Sequence, residues 1–456
     1  MTWTLEISHI GLTKSGDATL IVASDGEKMK RSVLIDGGRH TDFPATKSFI
    51  TSKYGKNFKI DIVINTHYDA DHLNGIRYLL NNCKNISSNS TIYDQGIPGI
   101  ISIEGKGFHQ SEYKSYVATV HYKGTETLNY FHSIDNRVHP TKMVSSDCEV
   151  EKGDPHSLSD GGFLSSGHLI YQEIFWQQPS SPTGVFPAAL TSLSYTYQPA
   201  PAHNIPPPQG TIPEGAPTIE CIAANQHYAA LNKTGKVLPP PLSTTRKNPT
   251  DPKNDKSLAF LVNFGSFTYY IGGDLTSDVE DNLIDYIQQR RGKTFYMKAS
   301  HHGSEHSTSK VFLEKLAPEA VFISNGLNNQ YPHPSVETIK RLAICKSVNT
   351  VFVTGSLPQY SKQKGVPTLS NEDTKKIEPS PKALVSQRAE EDPLINPLFL
   401  VNVIVKVDAS GNAITETHLA AGQTLGKGGN IRPNELDSQI QRSGPSAEAA
   451  ISGVKI

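Results

Sequence analysis

Fifteen of the chain's 30 prolines fall between Pro179 and Pro252, and that crowding limits the fold more than any other feature. Proline has no backbone N–H and biases the residue before it towards extended conformations. A stretch holding PPP at 206–208 and again at 239–241 therefore reads as polyproline II and turns rather than core. Residues 85–253 are expected to be an insertion, partly ordered because TIYDQGIP, SYVATVHYKG and HLIYQEIFW within it have strand-like composition. What remains, residues 1–84 and 254–424, is expected to form one domain. Residues 425–456 are dominated by Gly, Ser, Asn and Ala with little apolar periodicity, and are expected to be a mobile tail. The 456 residues leave room for two or three domains, or for one large domain carrying insertions.

On either side of the prolines, short β runs alternate with helical patterns, which predicts an α/β architecture. TLEISHI, ATLIVAS and SVLIDGG read as consecutive strands, KIDIVINT as a fourth, and DHLNGIRYLL as the helix after it. After the insertion, SLAFLVNF and FTYYIGG read as a hairpin. Ser277 with Glu280 reads as a capping box opening a helix that ends at Gly292. TFYMKAS, AVFISN and TVFVTG are further strands, and Pro334 is expected in the first turn of a helix carrying Val336, Ile339 and Leu342 on one face.

Charge and composition exclude several function classes. Forty-three basic against 44 acidic residues argue against a protein that holds nucleic acid mainly through a strongly basic surface. Charged residues make up 19% and hydrophobic residues 36%, which fits neither a highly charged disordered chain nor a coiled coil. No apolar run approaches the ~20 residues a membrane span requires, and the first residues lack the order of a signal peptide. No membrane segment and a cytoplasmic location are expected. Cys83, Cys148, Cys221 and Cys345 lie far apart with no C-x-x-C pair, so they are expected to be reduced thiols, mostly buried.

The chemistry concentrates at the ends of strands. Asn65-Thr66-His67-Tyr68-Asp69-Ala70-Asp71-His72 places four potential metal ligands within six positions, between a strand and a helix. A tight loop there lets alternate side chains share one pocket, and mixed imidazole and carboxylate ligands suit Zn²⁺ or Mn²⁺. Helix capping would account for one Asp, but not for two His and two Asp interleaved. Gly272-Gly273-Asp274 adds a carboxylate directly after an apolar strand. Ser300-His301-His302-Gly303-Ser304 adds two histidines at a strand end, where adjacent side chains are expected to point apart, one as ligand and the other as support or substrate contact. His333 lies immediately before a predicted helix.

Together these segments resemble the metallo-β-lactamase superfamily, and within it the hydrolase-like domain found in ComEC-type DNA-uptake proteins. Ser15-Gly16-Asp17-Ala18, Leu34-Ile35-Asp36-Gly37-Gly38, His67-x-Asp69-x-Asp71-His72, Asn254-Asp255-Lys256-Ser257-Leu258, Gly273-Asp274, His301-His302-Gly303-Ser304 and Asn328-Asn329 to His333-Pro334 are similar to that domain's motifs, in order. The likeness covers about 7–84 and 254–356, and aspartate stands where the superfamily more often has a second histidine. It implies an αββα sandwich with the metal site along one edge, two divalent ions, His67 and Asp69 on the first and Asp71, His72 and one of His301 and His302 on the second. It also implies Asp274 as the bridge, Asp36 as a support for the metal loop, and His333 over the pocket. A further histidine for the first ion is not evident, His168 in the insertion being a candidate on local appearance alone.

A binuclear site of this kind implies hydrolysis by a metal-bridging hydroxide, with the cations ~3.5 to 4 Å apart. Asp71 is then expected to orient that hydroxide, and His301 or His302 with His333 to neutralise or protonate the leaving oxygen. The implied activity is that of a phosphodiesterase or nuclease acting on nucleic acid or nucleotides. Lys233, Lys236, Arg246, Lys247, Lys253 and Lys256 are available as phosphate contacts or as a solvated loop. Two other readings stay open: a hydrolase of a small ester, lactone, thioester or phosphocholine-type substrate, and a non-catalytic binding module on the same fold.

Overall fold

A computed structural model describes residues 2–14, 16–26, 30–82, 86–94, 116, 129–132, 138–139, 173–176, 198–199, 210–224, 227–232, 234–236, 253–326, 331, 333–355, 369–378 and 400–420. The tail from 425, His168 and the two PPP runs lie outside the described residues.

The chain opens with β1 (Thr4–His9), β2 (Thr19–Ser24) and β3 (Lys30–Ile35), followed by α1 (Phe43–Tyr54), β4 (Ile60–Ile64), α2 (Ala70–Asn82), β5 (Ile86–Asp94) and β6 (Asn129–His132). β7 (Val138–His139) pairs with β8 (Gln198–Pro199) as a separate two-stranded ribbon. The second half contains β9 (Thr218–Ala224), β10 (His227–Tyr228), β11 (Ala259–Phe264), β12 (Phe267–Ile271), α3 (Ser277–Arg290), β13 (Thr294–Lys298), α4 (Lys310–Leu316), β14 (Ala320–Ile323), α5 (Val336–Ile344) and β15 (Thr350–Val353). It closes with α6 (Asn371–Thr374), β16 (Ile377–Glu378), β17 (Val401–Val407) and β18 (Ala413–Leu419).

Two eight-stranded mixed sheets result, ordered β18-β17-β1-β2-β3-β4-β5-β6 and β10-β9-β11-β12-β13-β14-β15-β16. In the first, β1 to β3 are antiparallel and β3 to β6 parallel. In the second, β12 to β16 run parallel with helices in the crossovers. Alternation along each strand sorts the side chains by face. Ile21, Val33, Ile35, Ile62 and Ile64 join the large core containing the second sheet, whereas Leu20, Val22, Leu34 and Val63 pack with Phe49, Ile50, Leu73, Ile76 and Leu79 of α1 and α2. This is the α/β layering that the sequence predicted, and the C-terminal ends of the parallel strands gather along one edge, where ligands of open α/β sheets characteristically bind.

Two local expectations change, and strands from within residues 85–253 join both sheets. The stretch expected as an insertion supplies integral strands: β5 and β6 extend the first sheet, and β9 pairs with β11 along five residue pairs. From HLIYQEIFW, Glu173 makes a bridge to Glu220 while Ile174 and Phe175 are fully buried. Of these, β9 lies inside the proline-rich stretch, which masks it in the sequence. The capping box at Ser277 does not form: Thr276 is the N-cap, and Glu280 is buried, accepting hydrogen bonds from Ser300 Oγ (2.7 Å), Tyr270 Oη (3.2 Å) and the Thr308 amide. Pro334 precedes α5, whose N-cap is Ser335, the side chain accepting from the Thr338 amide at 3.0 Å.

β17 adds a strand that the sequence patterns above did not single out; it lies between β1 and β18. Cys221 and Cys345 are free and buried, as expected of them, and the other two cysteines lie outside the described residues. Among the described residues no helix is long and apolar enough to cross a membrane.

Candidate metal centre

The loop after β4 is built on Asp36, which holds a positive φ of 57° at the end of β3. Its carboxylate accepts from the Thr66 amide (2.8 Å), the Thr66 hydroxyl (2.7 Å) and His72 Nδ1 (2.8 Å), so one buried group orients both ends of the His67–His72 segment. Close backbone approach completes the arrangement. A Cβ on Gly75 would meet the Gly37 carbonyl oxygen at 1.7 Å, and a Cβ on Gly273, at φ 55°, would press on Thr66 at 3.0 Å. Only glycine lets α2 and the β12 turn sit this near the loop.

The tautomers follow from the hydrogen bonds. The Thr66 hydroxyl has one proton, directed at Asp36, so it accepts from His67 Nδ1 at 3.1 Å. His302 Nδ1 donates to the Ser324 carbonyl at 2.9 Å, and His72 Nδ1 to Asp36. In their neutral forms all three rings therefore present a bare Nε2. Those nitrogens converge on Asp274 Oδ2, at 3.2 Å from His72, 3.6 Å from His302 and 3.7 Å from His67. His72 Nε2 and His302 Nε2 are 3.3 Å apart. Two facing lone pairs at that distance repel unless a proton or a metal ion lies between them. His67 Nε2 and Asp274 Oδ1 are buried without hydrogen-bond partners among the described residues. Such a donor set fits a divalent cation of borderline character.

Two flanks can be distinguished. On one, Asp69 Oδ2 lies 4.0 Å from His67 Nε2; on the other, Asp71 Oδ2 lies 3.7 Å from His302 Nε2 and 3.7 Å from Arg39 Nη2. Asp274 is shared between them. His301 departs from the expectation that adjacent histidines point apart. The segment is a tight turn with positive φ at His301 (49°) and His302 (52°), not extended strand, so His301 Nε2 also reaches Asp274 Oδ2, at 3.8 Å. His302 is buried, while the His301 side chain remains 21% exposed at the rim. The His333 ring lies 5.1 Å from that of His301, and Tyr331 stacks on His333 at 5.9 Å.

Electrostatics agree with the geometry. Burial would raise the Asp274 carboxyl, but the rings of His72, His302, His301 and His67 hold it well below the usual carboxylate range. Burial would lower His72 and His302, yet Asp274 with Asp36 raises the first well above its ordinary value, and Asp274 with Asp17 raises the second. Burial and the neighbouring His72 push His67 down. Burial, then His301 and His302, push His333 down to about 3, so its ring is neutral.

Two residues escaped the sequence-based site. Asp17 joins His72, Asp274 and His302 in a buried group whose ligand atoms lie within 4.8 Å of one another. Lys298 pairs with it at 2.5 Å. The signals were present: Asp17 stands in a Gly-Asp-Ala motif, and Lys298 is a lone charge ending an apolar strand. Of the basic residues considered as phosphate contacts, Lys233, Arg246 and Lys247 lie outside the described residues, and burial pushes Lys256 down to about 8.

Residues 13–103 match the family model of the metallo-beta-lactamase superfamily. Among curated proteins, the chain is 31% identical over 90 residues to ComE operon protein 3 of Bacillus subtilis, covering 20% of this chain and 11% of that protein. It is 36% identical over 93 residues to competence protein ComA of Neisseria gonorrhoeae, covering 20% and 13%. The chain thus matches only a small part of these relatives' length. Similar solved structures include a long-form RNase Z from yeast, at 11% identity and a TM-score of 0.34, covering 73% of this chain and 38% of that one. Zn²⁺-bound PqqB from Methylobacterium extorquens aligns at 9% identity and a TM-score of 0.26, covering 64% and 72%.

Proposed function

We propose that this chain is a metal-dependent hydrolase with two divalent ions, Zn²⁺ or Mn²⁺, acting on phosphodiesters of nucleic acid or nucleotides. The observation that carries the reading is the convergence of three Nε2 atoms on the single buried oxygen Asp274 Oδ2. His67 and Asp69 would hold the first ion, His72, His302 and Asp71 the second, and Asp274 would contribute to both. Cations held there would supply Lewis acidity and a water that ionises near neutral pH. The phosphodiester substrate class rests on the motif resemblance, together with one relative named for competence.

The chain's own side chains supply the rest. Asp71, 14% exposed, faces both the pocket and Arg39, and orients the attacking water. His301 at the rim contacts the leaving oxygen and passes it a proton. His333 stays neutral, so it donates an N–H hydrogen bond rather than a positive charge. Residues 1–84 and 254–424 are read as the hydrolase domain, extended by the strands that 85–253 contributes.

The test is elemental analysis of the purified protein, followed by assays with Mn²⁺ and Zn²⁺ on bis-p-nitrophenyl phosphate, a lactone and a thioester. About two ions per chain and diesterase activity that falls at least ~100-fold in His67→Ala and Asp274→Ala are expected, because losing a ligand costs no less than the ~10- to 100-fold typical of losing a ligand's outer-sphere partner. Folded variants that kept full metal content and activity would sink the assignment. Turnover of the lactone or thioester alone would move the substrate to the small-molecule class, and neither metal nor turnover would favour a binding module.

A further inference from the structure

Lys298 is 1% exposed, at the end of β13, and its ammonium forms an ion pair with Asp17 Oδ2 at 2.5 Å while donating to the Ala299 carbonyl at 3.3 Å and the Gly273 carbonyl at 3.4 Å. The two carbonyls belong to the segments leading into His301-His302 and Asp274, and Gly273 O also accepts from the His301 amide at 3.0 Å. Asp17 does the same on the first sheet. Its amide donates to the Asp71 carbonyl (3.3 Å), and its carbonyl accepts from the Gly38 amide (2.8 Å) beside Asp36. One ion pair therefore joins every ligand-bearing segment of one sheet to those of the other.

Asp17 is close enough to the rings to be taken for a metal ligand, but its direction says otherwise. Asp17 Oδ1 approaches His302 Nδ1 at 3.5 Å and Oδ2 approaches His72 Nδ1 at 3.9 Å. Asp274 meets the same two rings at Nε2, on their opposite edges. The carboxylate sits behind the imidazoles, against a fixed ammonium. Burying such a pair is seldom a device for stability, because desolvating two charges costs about as much as their attraction returns, and well-packed neutral replacements are often tolerated.

We infer that Lys298 and Asp17 are positioning residues for the proposed metal centre: a permanent internal cation takes up the Asp17 carboxylate and sets the spacing of the ligand loops from both sheets. Asp17 is accordingly not a ligand. The inference rests on the metal-centre reading, and outer-sphere partners of this kind typically change metal affinity by about 10- to 100-fold.

The experiment compares wild type with the charge-balanced Asp17→Asn/Lys298→Met protein and with Asp17→Asn alone. Three quantities are measured: the melting temperature of the metal-free protein, Mn²⁺ affinity by titration, and the visible spectrum of the Co²⁺-loaded protein. The double variant is expected to melt within a few degrees of wild type yet bind Mn²⁺ at least ~10-fold more weakly, with shifted Co²⁺ bands. Asp17→Asn, which leaves the ammonium unmatched, should weaken binding as well and serves if the double variant does not fold. Wild-type affinity and an unchanged spectrum in either folded variant would overturn the positioning role while leaving the metal centre standing. A wild-type protein that binds no cation would overturn both.

Discussion

At the scale of single residues, the site is decided by which ring nitrogens carry protons. Without a cation, the surrounding carboxylates raise His72 and His302, which favours a proton between the two facing Nε2 atoms that a metal requires. His67, pushed down by burial, is already bare. Metal and proton therefore compete at His72 and His302 but not at His67. Zn²⁺ or Mn²⁺ binding is expected to release protons, and affinity to fall as pH drops below the raised values of these two rings. Titration calorimetry in buffers of different ionisation enthalpy reads the proton count directly; a count that did not rise as the pH was lowered into the ordinary histidine range would contradict the assignment. The HxDxDH cluster was legible in the sequence because its ligands are adjacent in the chain. Asp17 was visible as part of a Gly-Asp-Ala motif, but its pairing with Lys298 was not, because 281 positions separate the two.

At the scale of elements, α3 is tied to the histidine turn by Glu280, whose carboxylate receives Ser300 Oγ, Tyr270 Oη and the Thr308 amide. Burial raises this group to about 7 against those three donors. Because the folded value lies above the ordinary one, the folded state holds the proton more tightly. The resulting stability is complete below the ordinary value and is lost as pH rises through about 7. The metal-free protein is expected to melt lower at pH 8 than at pH 6, with the Glu280 contribution absent in Glu280→Gln; an identical pH slope in the variant would refute the role. Sequence spacing suggested a cap at this glutamate, since a carboxylate three residues after a serine has that form. The β12–α3 turn instead makes Thr276 the cap and directs Glu280 inward, a choice made by the loop it packs against. The adjacent histidines show the same dependence: strand geometry would separate them, and a turn with two positive φ values brings both to Asp274.

At the scale of the whole molecule, ligands come from both sheets, so bound cations would cross-link the two layers of the sandwich. A ligand at 100 times its dissociation constant adds about 2.7 kcal/mol per site. For a domain of this size that corresponds to a shift of roughly 5 to 10 °C. Chelation is expected to lower the melting temperature by that order, with readdition of Zn²⁺ or Mn²⁺ restoring it. A melt indifferent to chelator in protein shown to contain metal would mean that the ions do not bridge the sheets.

The sequence by itself determined the α/β alternation and the strand-end placement of His67, Asp69, Asp71, His72, Asp274 and His302, because these are carried by local periodicity and by neighbouring residues. Only the tertiary structure decided that β9 and the 173–176 segment belong to the sheets and core, that Glu280 faces inward, and that Asp17 and Lys298 meet behind the imidazoles. Those outcomes depend on contacts between residues far apart in the chain, where burial and charge pairing outweigh local preference.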